Sequence, residues 1–229
     1  MRANVRGTAL LLVLAAASPA LAQEQTTYAV TPFIGVYLPT ADLVDNQTVP
    51  EAGLLDPETL SQSQEAALAF GLRASRSLSS RLWLELEFQY AASAIQRTAT
   101  RREPLPEPTV TLDARVFTLG ANVLLEVFRA PFTPVAVHLL GGLALVSRGG
   151  EFFDESADLG GELFEGLEGG TDIALIVGTG LRYGLSPHFG VRIDVRDYVS
   201  FYAQSLRAAD FESELQNELW VTGGVELTL

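Results

Sequence analysis

The sequence predicts an all-β chain: an eight-stranded antiparallel up-and-down β-barrel that crosses a membrane with its strands, preceded by a cleaved secretory signal peptide. Three observations carry this. Polarity alternates residue by residue in several segments, and the links between those segments alternate between short and long. Past the leader, no stretch approaches the ~20 apolar residues that a membrane helix needs.

The leader is residues 1–22, and the barrel domain is residues 23–229. Arg2 and Arg6 form a basic start, Ala9 to Ala17 is an apolar run too short to span a bilayer, and Ala20-Leu21-Ala22 fits a small-residue cleavage site, so the mature chain is expected to begin at Gln23. There is no cysteine, so the oxidising compartment that a signal peptide implies is not used for disulfides. All fifteen basic residues are arginine. Against 28 carboxylates they give a net charge of -13, and loss of Arg2 and Arg6 takes this to -15, which excludes nucleic acid as a partner.

A strand with lipid on one side and a packed interior on the other changes polarity at every residue. In Ala66 to Ser75 the apolar set is Ala66, Leu68, Phe70, Leu72 and Ala74, set against Ala67, Ala69, Gly71, Arg73 and Ser75. Leu82 to Ala91 sets Leu82, Leu84, Leu86, Phe88 and Tyr90 against Trp83, Glu85, Glu87, Gln89 and Ala91. Ile173 to Tyr183, Phe189 to Tyr198 and Leu219 to Leu229 alternate as cleanly, with Arg182, then Arg192, Asp194 and Arg196, then Glu226 on the non-apolar face. Tyr28 to Leu38, Val110 to Val127 and Val135 to Ser147 complete the eight. In Val110 to Val127 the polar set Thr111, Asp113 and Arg115 gives way to Thr118 and Asn122, which predicts a β-bulge near Phe117.

Short links are expected at Ser77 to Arg81, Phe128 to Phe132 and Leu185 to His188, and long ones at Pro39 to Glu65, Ser93 to Thr109, Arg148 to Asp172 and Ser200 to Asn217. An even strand number with short turns at one end and long loops at the other is the topology of bacterial outer-membrane barrels, with both termini periplasmic and the long loops extracellular. Aromatic residues at the strand ends fit two interfacial girdles, with Tyr28, Phe128, Phe132, Tyr183 and Phe189 near the periplasmic rim and Tyr37, Tyr90, Phe201 and Tyr202 near the outer one.

The alternation, the loop asymmetry, the stretch Gly180-Leu181-Arg182-Tyr183-Gly184-Leu185-Ser186-Pro187-His188-Phe189 and the strand Val191-Arg192-Ile193-Asp194-Val195-Arg196-Asp197-Tyr198 resemble small eight-stranded outer-membrane β-barrel domain proteins of the kind of the OmpA transmembrane domain and OmpX. The resemblance covers the mature chain and implies architecture rather than activity. It also implies outer-membrane assembly machinery as a partner during biogenesis. Such barrels usually end in an aromatic residue, whereas this chain ends Leu227-Thr228-Leu229.

The non-lipid faces are expected to hold Arg73, Arg115, Arg182, Arg192 and Arg196 with Glu85, Glu87, Asp113, Asp194 and Glu226, five charges of each sign. An eight-stranded barrel is barely wide enough for its own side chains, so these read as a structural, charge-paired plug. A turn centred on Ser79 places Arg73 opposite Glu85. From Gly149 to Gly170 the carboxylates Glu151, Asp154, Glu155, Asp158, Glu162, Glu165 and Glu168 stand without a base; their spacing fits no calcium loop, and a solvated acidic loop is the simplest reading, with divalent-cation binding as the alternative. Arg97, Arg101 and Arg102, beside the Pro-rich 104–108, suit the phosphates of lipopolysaccharide.

His138 is expected inside the lumen and His188 in a periplasmic turn, neither with a serine and carboxylate beside it, so no catalytic, metal or cofactor site is assigned. Glycines at 141–142 and 223–224 precede no helix; they ease crowding in a curved wall. The sequence thus describes a monomeric outer-membrane barrel, in contact with outer-membrane lipid and lipopolysaccharide, with a structural or surface-interaction role. A soluble periplasmic lipocalin-like barrel for an apolar ligand is the rival, and a narrow ion-conducting or lipid-modifying barrel the weaker third.

Overall fold

The computed structural model describes residues 26–40, 44–49, 58–100, 109–150, 171–202 and 214–229. They form β1 (Tyr28–Pro39), β2 (Val44–Val49), β3 (Glu58–Gln64), β4 (Ala67–Ser77), β5 (Leu82–Thr100), β6 (Thr109–Arg129), β7 (Val135–Gly149), β8 (Thr171–Gly184), β9 (Phe189–Tyr202) and β10 (Glu214–Thr228). Eight of them close a ring, β1-β4-β5-β6-β7-β8-β9-β10 and back to β1, each antiparallel to both neighbours. These are the eight strands that alternation marks in the sequence. Closure matters because backbone groups in hydrocarbon have no water to turn to, and a closed ladder pairs them all.

The register fixes the size of the ring. Following ladder partners from Ser77 leads through Trp83, Leu124, Leu140, Gly178, Arg196, Trp220 and Tyr37 to Ala67, which lies on the starting strand ten residues from Ser77. A stagger of ten over eight strands, at ~3.3 Å per residue and ~4.8 Å between strands, tilts the strands by about 40° and leaves a radius of about 8 Å. Side chains fill such a bore. In β4, Ala67, Ala69, Arg73 and Ser75 are buried in it while Leu68, Phe70, Leu72 and Ala74 are exposed outside.

The same contrast runs around the barrel. Ile34, Leu68, Leu86, Leu119, Leu143, Ile173 and Ile193 stand exposed on the outer wall, and the bore holds arginines and carboxylates. An apolar outside over a charged inside inverts what a soluble ligand-binding barrel requires, so the lipocalin-like reading fails. Tyr28, Phe128, Phe132, Tyr183 and Phe189 ring the short-turn end as expected. Toward the other end Phe70, Tyr90 and Phe117 pack together on the outside (centroids 5.3 and 4.8 Å apart), whereas Tyr37, expected there, is fully buried in the bore.

Four further features depart from the sequence reading. First, part of the link 39–65 is itself a hairpin, β2–β3, which adds to the upper part of β5. Second, β5 and β6 are 19 and 21 residues long, about twice the 9–11 needed to cross, so together with β2 and β3 they project beyond the ring as a sheet. Third, burial alternates without a break from Ala114 to Val127, and the one register shift of the β6–β7 ladder falls between Glu126 and Phe128, so no bulge lies near Phe117. Fourth, Arg73 stands opposite Glu87 and Ser75 opposite Glu85, which centres the turn on Ser80 rather than Ser79.

Candidate functional site in the barrel lumen

Alternation carries Arg73 of β4, Glu85 and Glu87 of β5, and Arg192, Asp194 and Arg196 of β9 into the middle of the bore, where all six side chains are cut off from solvent. Three positive and three negative groups interlock. Arg73 donates through Nη1 to Asp194 Oδ2 at 2.8 Å, through Nη2 to Thr222 Oγ1 at 2.9 Å, and lies 3.4 Å from Glu87 Oε2. Its other face covers the Phe33 ring, Cζ to centroid 3.9 Å. Arg192 joins Glu85 to Asp194, and Arg196 joins Glu85 (2.7 Å) to Glu87. Tyr198 donates its hydroxyl to Glu87, and His138 Nε2 lies 2.9 Å from Asp194 Oδ1.

The groups fit because glycines make room on the facing strands. A Cβ on Gly180 would come within 2.6 Å of both Asp194 Oδ1 and the His138 ring, and one on Gly120 would meet Glu87 Oε1 at 2.8 Å. The pairs 141–142 and 223–224 divide the same way. Gly142 and Gly224 sit against neighbouring backbone, while a Cβ on Gly141 would make only an ordinary contact with Ile176 O at 3.8 Å and one on Gly223 would meet open space.

Two smaller clusters flank the centre. Above it, Tyr37, Tyr198 and Trp220 stack in the bore, and beyond them Arg148 bonds Asp172 (2.8 Å), Glu218 (3.1 Å through Nε) and Ser200 (3.3 Å). Below it, Arg182 and Glu226 come into ionic contact at 2.9 Å, with the Arg182 guanidinium over the Trp83 ring. Glu126 holds Arg129 through two bonds of 2.7 Å. Trp83, Arg129, Arg182 and Glu226 border a cavity of about 610 Å³ that opens among the short turns.

Asp113 and Arg115 do not join the lumen. Both lie exposed on the outer face of β6, Arg115 at the last pair of the β6–β7 ladder and Asp113 just past it, at the rim where the outward side meets water rather than lipid and can be polar. The alternation therefore never changes phase, and the polar set at its start needs no bulge. In their place the bore holds Arg148, Glu218, Asp172 and Glu126, and His138 is inside as expected. Of the arginines read for lipopolysaccharide, Arg97 has its backbone in β5 opposite Gln62 and Val110, while Arg101 and Arg102 lie outside the described residues, as do the leader and the acidic run 151–170. His188 is exposed in its turn. Among the described residues, no group of three His, Cys, Asp or Glu side chains is arranged to hold a metal.

Comparison with solved structures gives the same architecture. The outer membrane protein OprG of Pseudomonas aeruginosa is similar with a TM-score of 0.56 at 10% identity, over 89% of this chain and 95% of that one. Neisserial surface protein A gives 0.47 at 14% identity over 89% and 99%, and the N-terminal barrel domain of Pseudomonas aeruginosa OprF gives 0.44 at 11% over 89% and 97%. Comparison with curated proteins found no sequence match. A family model described as the outer membrane protein beta-barrel domain matches residues 8–223, and the chain belongs to that family, an eight-stranded barrel of the outer membrane.

Proposed function

We propose that this barrel conducts nothing and works through its surfaces: it stabilises the outer membrane and presents its long links, extracellularly, for contact with lipopolysaccharide or other surfaces, while both termini and the short turns face the periplasm. The observation that supports this is the centre of the bore. Arg73, Arg192, Arg196, Glu85, Glu87 and Asp194 are all fully shielded from solvent there, and no water-filled path passes a layer so filled. Opening one would break several buried ion pairs at once. His138, held by Asp194 among guanidiniums, serves as part of the plug.

On this reading the protein is a monomer, delivered by the outer-membrane assembly machinery, with outer-membrane lipid around it. Arg97, Arg101 and Arg102 are its contacts to lipopolysaccharide phosphates. Two measurements test it. Reconstituted in planar bilayers, the folded chain should show no single-channel current, and steady ion-selective steps would overturn the plug. Protease added to intact cells should nick the segment 151–170 and leave the barrel standing. Cleavage only after the outer membrane is permeabilised would reverse the orientation.

A further inference from the structure

The cavity at the short-turn end is a blind cup. The turns rim its mouth, its inner end carries Trp83, Arg182 and Glu226, and beyond them the shielded charge cluster closes the bore. Its volume of about 610 Å³ has room for an organic molecule, within the roughly 300–1,000 Å³ of small-molecule sites.

The cup presents positive charge and hydrogen-bond donors. Both of its ion pairs turn the cation toward the open side: Arg129 is 65% exposed against 7% for Glu126, and Arg182 16% against 6% for Glu226. Among the described residues the lining holds two arginines and one carboxylate, Glu226. Arg182 lies 2.9 Å from Glu226, yet its Nε and Nη2 complete no hydrogen bond, so charge and the face of Trp83, 4.8 Å away, hold the guanidinium in place of directed bonds. It can turn an N–H edge to an acceptor in the cup. Three serines of the lining add donors. Ser77 Oγ accepts from the Thr27 N–H at 2.8 Å, Ser79 Oγ from the Leu82 N–H at 3.2 Å and Ser186 Oγ from the Phe189 N–H at 3.1 Å, which fixes each oxygen and leaves its own proton to give.

From this arrangement we propose that the cup binds the carboxylate of a small organic acid, with Arg182 as the ligand of the carboxylate, Trp83 against the carbon skeleton, and the serine hydroxyls as donors to further oxygens of the same molecule. A guanidinium offers a carboxylate paired N–H donors. The one positive charge in excess in the lining matches the single charge of a carboxylate better than the nearly double charge of a phosphate monoester. The inference goes beyond the surface role and leaves the plug intact, because the acid enters and leaves by the same mouth.

The test uses the full chain, labelled with nitrogen-15 and folded in detergent micelles. Its two tryptophans give two indole N–H signals, Trp83 in the cup and Trp220 buried on the far side of the charge cluster. Titration with N-acetylalanine should shift the Trp83 signal saturably and leave that of Trp220 in place. The neutral amide of N-acetylalanine, of the same shape, should bind about tenfold more weakly or worse. The Arg182→Gln/Glu226→Gln variant, which exchanges the ion pair for a neutral one of similar size, should lose N-acetylalanine by the same factor, its folding checked by the heat-dependent shift in gel mobility. The comparison of acid and amide uses the unaltered chain and so decides the matter even if that variant does not fold. Arg115→Gln, at the opposite rim, should bind as the unaltered chain does. No saturable shift, equal binding of acid and amide, unchanged binding in a folded double variant, or the same shift from chloride at equal concentration would each overturn the proposal. The readout depends neither on which way the barrel points nor on conductance, so a failure here is distinct from a failure of the protease or single-channel test.

Discussion

Ile193→Arg should abolish or badly impair folding into bilayers, while Ile193→Leu should be nearly silent. Ile193 points outward from β9 with half its surface exposed, between Leu181 of β8 and Gly223 of β10, in the apolar belt that runs from Phe189 up to Val195. An arginine on the lipid face near the midplane costs about 2–4 kcal/mol, against a total stability on the order of 5–15 kcal/mol. The measurement is the folded fraction on gels after dilution from urea into lipid vesicles. A companion experiment isolates the membrane from mere packing. Single Val191→Cys, Ile193→Cys and Val195→Cys variants, fluorescently labelled, should be quenched by lipid-borne nitroxides, and Gly190→Cys and Ser200→Cys, which face the bore, should not. Equal quenching of both sets would refute the lipid-facing assignment of the odd positions.

The ring strands were legible because lipid is an unforgiving neighbour. Where a strand crosses hydrocarbon, as in Leu68-Phe70-Leu72 or Val191-Ile193-Val195, every second residue must be apolar, and the period shows in one sequence without help. Beyond the rim the constraint vanishes. Val44–Val49 and Glu58–Gln64 are strands held by backbone ladders, the first to the second and the second to β5, yet water can lie on their surfaces and their polar residues carry no period. The same change of solvent explains Asp113 and Arg115. Their face stays outward all along β6, and only what it meets changes.

The lumen was legible only where the strand assignment reached. Arg73, Glu85, Glu87, Arg192, Asp194 and Arg196 lie inside segments with clean alternation, and parity alone turns them inward. Arg148 follows the parity of His138, Leu140, Ala144 and Val146, and Glu218 that of Trp220, so extending the alternation by one step at each strand end would have found both. Pairing across the bore was beyond reach. Arg192 meets Glu85 across 107 positions of sequence and Arg73 meets Asp194 across 121, and such partners depend on the stagger of the closed ring. That stagger depends in turn on each turn's length, where a shift of the centre from Ser79 to Ser80 replaces Glu85 by Glu87 opposite Arg73.

Asp194 is the group whose loss should cost most. It accepts from Arg73 at 2.8 Å and Arg192 at 3.0 Å, lies 3.6 Å from Arg196 and 2.9 Å from His138, and has no exposure to water. Asp194→Leu leaves three buried arginines facing two carboxylates, and an unbalanced buried charge of this kind costs about 3–5 kcal/mol. Urea titration in lipid vesicles, read by the folded band, should therefore show a large drop in midpoint. Adding Arg73→Met restores the balance, with Arg192 and Arg196 against Glu85 and Glu87, so the double variant should be more stable than Asp194→Leu alone even though it has lost another interaction. The interaction energy from the cycle should lie at the upper end of the 0.5–3 kcal/mol range seen for neighbouring groups. Because the cluster is shielded from solvent, the loss in Asp194→Leu should be nearly the same at low and high salt, whereas surface pairs weaken as salt rises. Simple additivity of the two substitutions would show that Arg73 and Asp194 are neighbours without energetic coupling, and would remove the balanced plug as the reason for the charges in this bore.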